Sequence, residues 1–128
     1  MTTMHVELVS IERPLWSGEA TAVYARTPDG EIGVMAKHAP LIAVLEAGWS
    51  VRIQREGEDE LRVAVHGGFL SVTDQGVSVL AEMAETAEEI DVARARDHLA
   101  QTQDSTDPDT MARRLRNMAR LRAAGESV

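Results

Sequence analysis

Four histidines, His5, His38, His66 and His98, are the first places to look for chemistry. They are scattered, no His-x-x-x-His or His-Glu-x-x-His occurs, and they do not form a metal-ligand set. As catalytic bases, His38 and His66 lack an acid partner close by in the sequence, which leaves an enzyme reading with little support. The chain has no cysteine, which removes disulfides, thiol nucleophiles and thiolate metal sites, and fits a reducing compartment. No Gly-x-Ser-x-Gly elbow appears. The segment from Gly30 to Lys37 ends in the only lysine but lacks the spacing of a phosphate loop. What remains is a charge asymmetry. Five arginines (Arg113, Arg114, Arg116, Arg120 and Arg122) lie between Met111 and Gly125 with no acid among them, in a chain of net charge −8. Nucleic acid is a poor partner for a protein with a pI near 4.9. Two readings remain, a solvated helix face and a surface for an acidic protein partner. Like charges such as Arg116 and Arg120 weaken an isolated helix, which speaks for the partner.

The elements that must position these residues follow from composition and period. With 128 residues, 44% hydrophobic but only 3% aromatic, the chain can form one core built from Val, Leu, Ile and Ala. Its longest uncharged apolar run, Ala39 to Leu45, is far below the ~20 residues that span a bilayer. The start, MTTMHVELVSIE, resembles neither a signal peptide nor a transit segment. Direct membrane insertion is not expected.

Up to about Glu82 the alternation is that of strands. Val6 and Leu8, Ala20 to Tyr24, Val51 and Ile53, and Leu61 to Val65 alternate with polar or small neighbours. Turn chemistry at Pro28-Asp29-Gly30, Gly57-Glu58-Asp59, Gly67-Gly68 and Asp74-Gln75-Gly76 separates them. Leu70 and Val72 return as Val77 and Val79 in a predicted hairpin. At Thr86 the period changes. Thr86-Ala87-Glu88-Glu89 reads as a capping box opening a helix that runs to about Gln101. Asp107-Pro108-Asp109 restarts a second helix, with Met111, Leu115, Met118 and Leu121 as its apolar stripe and Gly125 as its stop. The expected architecture is a β-sandwich of short antiparallel strands over residues 1–86, followed by an antiparallel two-helix hairpin over residues 87–128. So short a hairpin is marginal alone, and it can leave its docking site at low cost.

Three segments together carry a resemblance: EIGVMAKHAPLIAVLEAGWSVRI, HGGFLSVTDQGVSVLAEMAETAEEIDVARA and the terminal hairpin. In this order, from Met4 to the last helix, the chain resembles the epsilon-subunit family of F-type ATP synthases. The resemblance implies a rotor subunit of the central stalk that is not itself catalytic. It couples proton-driven rotation to ATP synthesis, and its helices restrain ATP hydrolysis by docking on the catalytic head through the arginine helix. It also implies contact with the gamma subunit and the membrane rotor ring, at the cytoplasmic face of a bacterial membrane. Glu31 matches the position that faces the ring, and His38 the position near gamma. Met35-Ala36-Lys37 departs from the family, which shows a residue, Pro and Gly there.

Ile90-Asp91-Val92-Ala93-Arg94-Ala95 matches the motif with which some bacterial members bind ATP, and Glu85 matches a further nucleotide contact. The resemblance thus implies ATP as a regulatory ligand, with no cofactor required. Asp91 and Arg94, three residues apart, are expected to share a helix face, where the carboxylate can orient the guanidinium towards phosphate. Where strong binders carry a further arginine, this chain has Gln101. The rival reading is a stand-alone small-ligand-binding sandwich with a helical lid.

Overall fold

A computed structural model of the chain describes residues 2–128. Eight strands come first: β1 (Met4–Ser10), β2 (Pro14–Ala20), β3 (Ala22–Thr27), β4 (Gly30–Met35), β5 (Leu41–Val44), β6 (Ser50–Gln54), β7 (Leu61–Thr73) and β8 (Gly76–Thr86). A short 3₁₀ turn, Ala87–Glu89, leads to α1 (Val92–Gln101) and α2 (Pro108–Ala123). The strand order is β2-β1-β8-β7-β6-β3-β4, with β5 also paired to β7. All pairings are antiparallel except β1 with β8.

Two long strands make the sandwich possible. The first half of β7 pairs with β6, and its second half pairs with β5. Likewise the first half of β8 pairs with β1, so β7 and β8 pass from one layer to the other. Gly67-Gly68 marks the bend within β7, not a turn between strands as the sequence predicts. Gly68 has φ of +145°, and a Cβ there would stand 2.2 Å from the carbonyl oxygen of Leu80. Only glycine lets the two backbones close up while the strand bends.

Between the layers lie Val6, Leu8, Val23, Val34, Ile53, Val63, Leu70, Val77 and Val79, all at or near zero exposure. They form one aliphatic core with no aromatic residue among its buried members, as the composition requires. The segment from Gly30 to Gly48 resolves into β4, a turn and β5; its mixed pattern reflects two strands too short for period 2 to stand out. Residues Ala20 to Tyr24 are split by Thr21 into β2 and β3.

The capping box forms, but it does not open the helix. Thr86 N and Oγ1 both donate to Glu89 Oε1, at 3.1 and 2.9 Å. The chain then makes only a 3₁₀ turn, because Ile90 is extended (φ −88°, ψ 127°). Asp91 restarts it as the N-cap of α1, its carboxylate accepting from Arg94 N at 3.0 Å. Asp107 caps α2 with Pro108 in its first turn, as expected. The helices are antiparallel: Arg96 near the start of α1 pairs with Glu126 beyond α2, and Arg114 reaches the carbonyl of Gln103.

The buried face of α2 shares Leu121 with the predicted stripe and is shifted from it elsewhere. Met111 is 43% exposed, while Asn117, Ala119, Leu121 and Ala123 are buried. Ala119 and Ala123 meet Ala64 of β7, with Ile90 beside them. Small residues let the helix lie close against the strand, so the contact is selected by size more than by hydrophobicity.

Candidate functional site

The five residues of the proposed nucleotide set come together. Glu85 stands near the end of β8, Ile90 and Asp91 in the link that follows, and Arg94 and Ala95 in the first turn of α1. All five line one pocket of about 260 Å³, joined by Glu89 and His98 and, from α2, by Asn117 and Arg120. Asp91 does not orient the Arg94 guanidinium as the spacing predicts. Being the N-cap, it is spent on the backbone amide of Arg94. That bond fixes the first turn, and with it the place from which the Arg94 side chain extends.

At the back of this pocket lies a network that sequence reasoning missed. Glu85 Oε2 accepts from His66 at 2.9 Å and from Arg120 Nε at 2.6 Å. The hydrogen bond from His66, aided by Arg120 and opposed by burial, brings the Glu85 carboxyl down to about 2. The carboxylate is therefore ionised and can only accept, so His66 Nε2 carries the proton between them. Arg120 Nη1 donates to Asn117 Oδ1, and Asn117 Nδ2 to the Arg113 carbonyl, which satisfies a side chain that is 1% exposed. His66 thus has an acid partner after all, nineteen residues away. The signal for it was the strand period, which sets His66 and Glu85 near one another on β7 and β8.

The five arginines do not form one free surface. Arg113 is exposed, Arg114 is tied to Gln103, and Arg116 lies beside Leu115 and Met83. Arg120 turns inward to Glu85. Arg122 donates to the Gly48 carbonyl and lies over the Trp49 ring, 3.8 Å from its centre.

Glu31 and His38 lie beyond opposite ends of the β4 core position Val34. Glu31 is within β4 rather than in a turn, exposed, and paired with Arg52 at 2.9 Å. His38 is exposed in the turn after β4, its Nδ1 2.7 Å from the Ala39 carbonyl. Beside it Lys37 has φ of +68°, left-handed backbone at the position where the resembled family shows glycine. On the outer face of the other layer runs a row in register: Val44 opposite Phe69, and Phe69 opposite Leu80. All three are exposed, as are the neighbouring Ile42 and Ile11.

No group of His, Asp and Glu among the described residues is placed to hold a metal. Nor is any helix among them long and apolar enough to cross a membrane. Residues 3–87 match the family described as the ATP synthase delta/epsilon chain, beta-sandwich domain. Over 125 residues the sequence is 50% identical to the ATP synthase epsilon chain of Mycobacterium avium, covering 98% of both chains. The chain belongs to the ATP synthase epsilon-chain family. The epsilon chain of Mycobacterium bovis is likewise 50% identical over 125 residues, with 98% of both chains covered. Family likeness therefore extends beyond the sandwich through both helices. A chain in the mitochondrial ATP synthase of Euglena gracilis (OSCP/F1/c-ring) superposes with a TM-score of 0.80 at 25% identity, covering 98% of this chain and 83% of that one. One from the Tetrahymena thermophila central stalk and c-ring reaches 0.59 at 15% identity over 84% and 75%, which speaks for the fold alone. Membership in the epsilon-chain family does not favour a stand-alone ligand-binding sandwich.

Proposed function

We propose that this epsilon-family chain is a non-catalytic rotor subunit, seated on the gamma subunit and the membrane rotor ring, peripheral to the cytoplasmic face of a bacterial membrane. It couples ring rotation to ATP synthesis, and its hairpin restrains ATP hydrolysis when it leaves the sandwich for acidic surface on the catalytic head. The observation that carries the reading is the exposed row of Val44, Phe69 and Leu80, with Ile42 and Ile11 at its margins. Contiguous exposed apolar area of this kind is the mark of a protein interface. We assign it to gamma, with His38 at the edge of the contact and Glu31 towards the ring. A carboxylate there contributes steering and register more than affinity.

ATP is assigned as a regulatory ligand of the pocket holding Glu85, Asp91 and Arg94. Arg120, brought in from α2, supplies a second guanidinium in the absence of one at Gln101. A nucleotide there would bridge α1, α2 and β8, and so favour the docked hairpin.

Co-expression with gamma followed by affinity purification tests the assignment. The wild-type chain should co-purify with gamma, and Phe69→Asp with Leu80→Asp should abolish the complex while leaving the unfolding midpoint of the isolated chain within a few degrees. Elution of the wild-type chain alone would overturn it. For the ring contact, Glu31→Lys should lower proton pumping in the assembled enzyme; normal pumping removes Glu31 from that interface.

A further inference from the structure

The outer face of β3 and β6 gathers positive charge in a chain whose net charge is −8. Arg26 on β3, Arg52 on β6 and Arg122 on α2 line one cleft of about 260 Å³ together with Trp49 and Glu31. The Cζ atoms of Arg26 and Arg122 lie 4.5 and 3.8 Å from the centre of the same indole ring. They can be no farther apart than those two distances laid end to end.

Charge in this cleft is unevenly matched. Glu31 stands opposite Arg26 in the β3–β4 register, yet its carboxylate goes to Arg52 at 2.9 Å. Arg52 has a second acid in Glu60 at 3.5 Å. Among the described residues, neither Arg26 nor Arg122 has a carboxylate within ion-pair distance. Arg122 spends one N–H on the Gly48 carbonyl, and the Arg26 guanidinium makes no hydrogen bond to any described residue. Stacking on an indole uses the flat face of a guanidinium and leaves its edge of N–H donors free. Burial and, after it, the nearby Arg26 lower the pKa of Arg122, as expected of two like charges at a half-buried seam.

We propose that this cleft binds a phosphate-type oxyanion on the free guanidinium edges of Arg26 and Arg122, and that the bound anion fastens α2 to the sandwich. Planar guanidinium edges suit tetrahedral oxyanions because two parallel N–H bonds can meet two oxygens. Since Arg26 comes from the sandwich and Arg122 from the helix, the complete site exists only when α2 is docked. A ligand that binds only the docked form stabilises it in proportion to its concentration over its Kd. The cleft shares no residue with the pocket of Glu85, Asp91 and Arg94, so the two sites can be filled separately. Free phosphate and a phospholipid headgroup present the same chemistry, and the test separates them.

The experiment titrates the full-length chain with inorganic phosphate, against sodium chloride at matched ionic strength. The Trp49 indole resonance reports binding, and amide exchange along α2 reports docking. Phosphate should give a saturable shift at Trp49 and slower exchange in α2, and chloride neither. Arg26→Gln, which leaves the Arg122 contacts to Gly48 and Trp49 in place, should weaken binding roughly ten-fold or more. Arg94→Gln should leave it unchanged. A shift that chloride reproduces, or one lost with Arg94→Gln and kept with Arg26→Gln, overturns the site. So does an Arg26-dependent sedimentation with phosphatidylglycerol vesicles in the absence of any response to phosphate, which would assign the cleft to lipid.

Discussion

Arg120 of α2 donates to Glu85 at the end of β8 across 2.6 Å, the one ion pair that joins the second helix to the sandwich among the described residues. The two side chains are 21% and 23% exposed, so the pair is neither fully screened nor deeply buried. His66, whose side chain is 6% exposed, donates to the same oxygen of Glu85 from the sandwich side. One carboxylate thus holds a fixed cation from the helix and a titratable group from the strand. The docked position of α2 depends on that carboxylate being ionised.

Glu85→Gln should therefore loosen α2 without unfolding the sandwich. Losing a charge-assisted bond to a half-buried partner costs about 1.5–3 kcal/mol. Amide exchange along α2 should speed up by roughly ten- to a hundred-fold, while β7 and β8 keep their protection. Acid should do the same to the wild type. The carboxyl lies at about 2 with α2 docked, against 4.5 for a free one. His66 stays beside it when α2 leaves, so only the Arg120 share of that lowering is linked to docking. A depressed carboxyl contributes its stabilisation fully above the free value, and loses it as pH falls from 4.5 towards 2. Exchange in α2 that is flat across that window, or equally steep in Glu85→Gln, would remove Glu85 from this role.

Lys37 offers a test that does not involve the helices. Its φ of +68° places a side chain where left-handed backbone costs about 1–2 kcal/mol, against about 0.5–1 kcal/mol for the extra chain entropy of glycine. The difference favours glycine. Lys37→Gly should raise stability by roughly 0.5–1 kcal/mol, a few degrees in Tm for a domain of this size. A lower Tm would mean that the lysine side chain makes a compensating contact.

The fold was legible where local chemistry decides it and illegible where packing does. The hairpin at Asp74-Gln75-Gly76 and the cap at Asp107-Pro108 follow from turn and N-cap preferences, and both are observed. Gly67-Gly68 carries the same turn signal, yet it bends a strand that continues through it, because a partner backbone approaches Gly68 too closely for any Cβ. On α2 the helical period was correct and the face was shifted: Leu121 is buried as expected, Leu115 and Met118 are half-buried, and Met111 is exposed. Ala119 and Ala123 are less hydrophobic than Met111 and Leu115, but only small residues fit against Ala64. For the candidate site, the Ile90-to-Ala95 motif and Glu85 could be quoted from the sequence as they stand. Asn117 and Arg120 could not, because their link to Glu85 spans up to thirty-five residues and depends on how α2 lies on β7. His66 needed the β7–β8 pairing, to which only the strand period points.

The main core lies wholly between Met4 and Ala84, and α2 packs outside it, on Ala64 and beside Gly48 and Trp49. A chain ending at Ala87 should accordingly keep one cooperative unfolding transition by heat or urea, and should still bind gamma. Its midpoint should fall by a few degrees, since exposing Ala64 and freeing Glu85 and His66 removes only the docking contacts. A broad, non-cooperative transition would show that the helices complete the core.

The arginines of α2 divide into two groups, and the division gives opposite expectations for ATP hydrolysis by the assembled enzyme. Arg120 and Arg122 hold the helix to the sandwich, whereas Arg113 and Arg116 make no ion pair among the described residues and are available to an acidic partner. If the hairpin restrains hydrolysis after leaving the sandwich, Arg113→Ala with Arg116→Ala weakens the restrained state and hydrolysis should rise. Arg120→Ala weakens the docked state instead, so hydrolysis should fall. Single exposed pairs contribute only about 0.2–1 kcal/mol, so the double variant should change the rate by no more than several-fold, and removing residues after Asp107 should give the full release. Raised salt should act as the double variant does, because exposed pairs are screened before half-buried ones. The same direction of change in both groups, or no change on truncation at low salt, would place the restraint elsewhere than in α2.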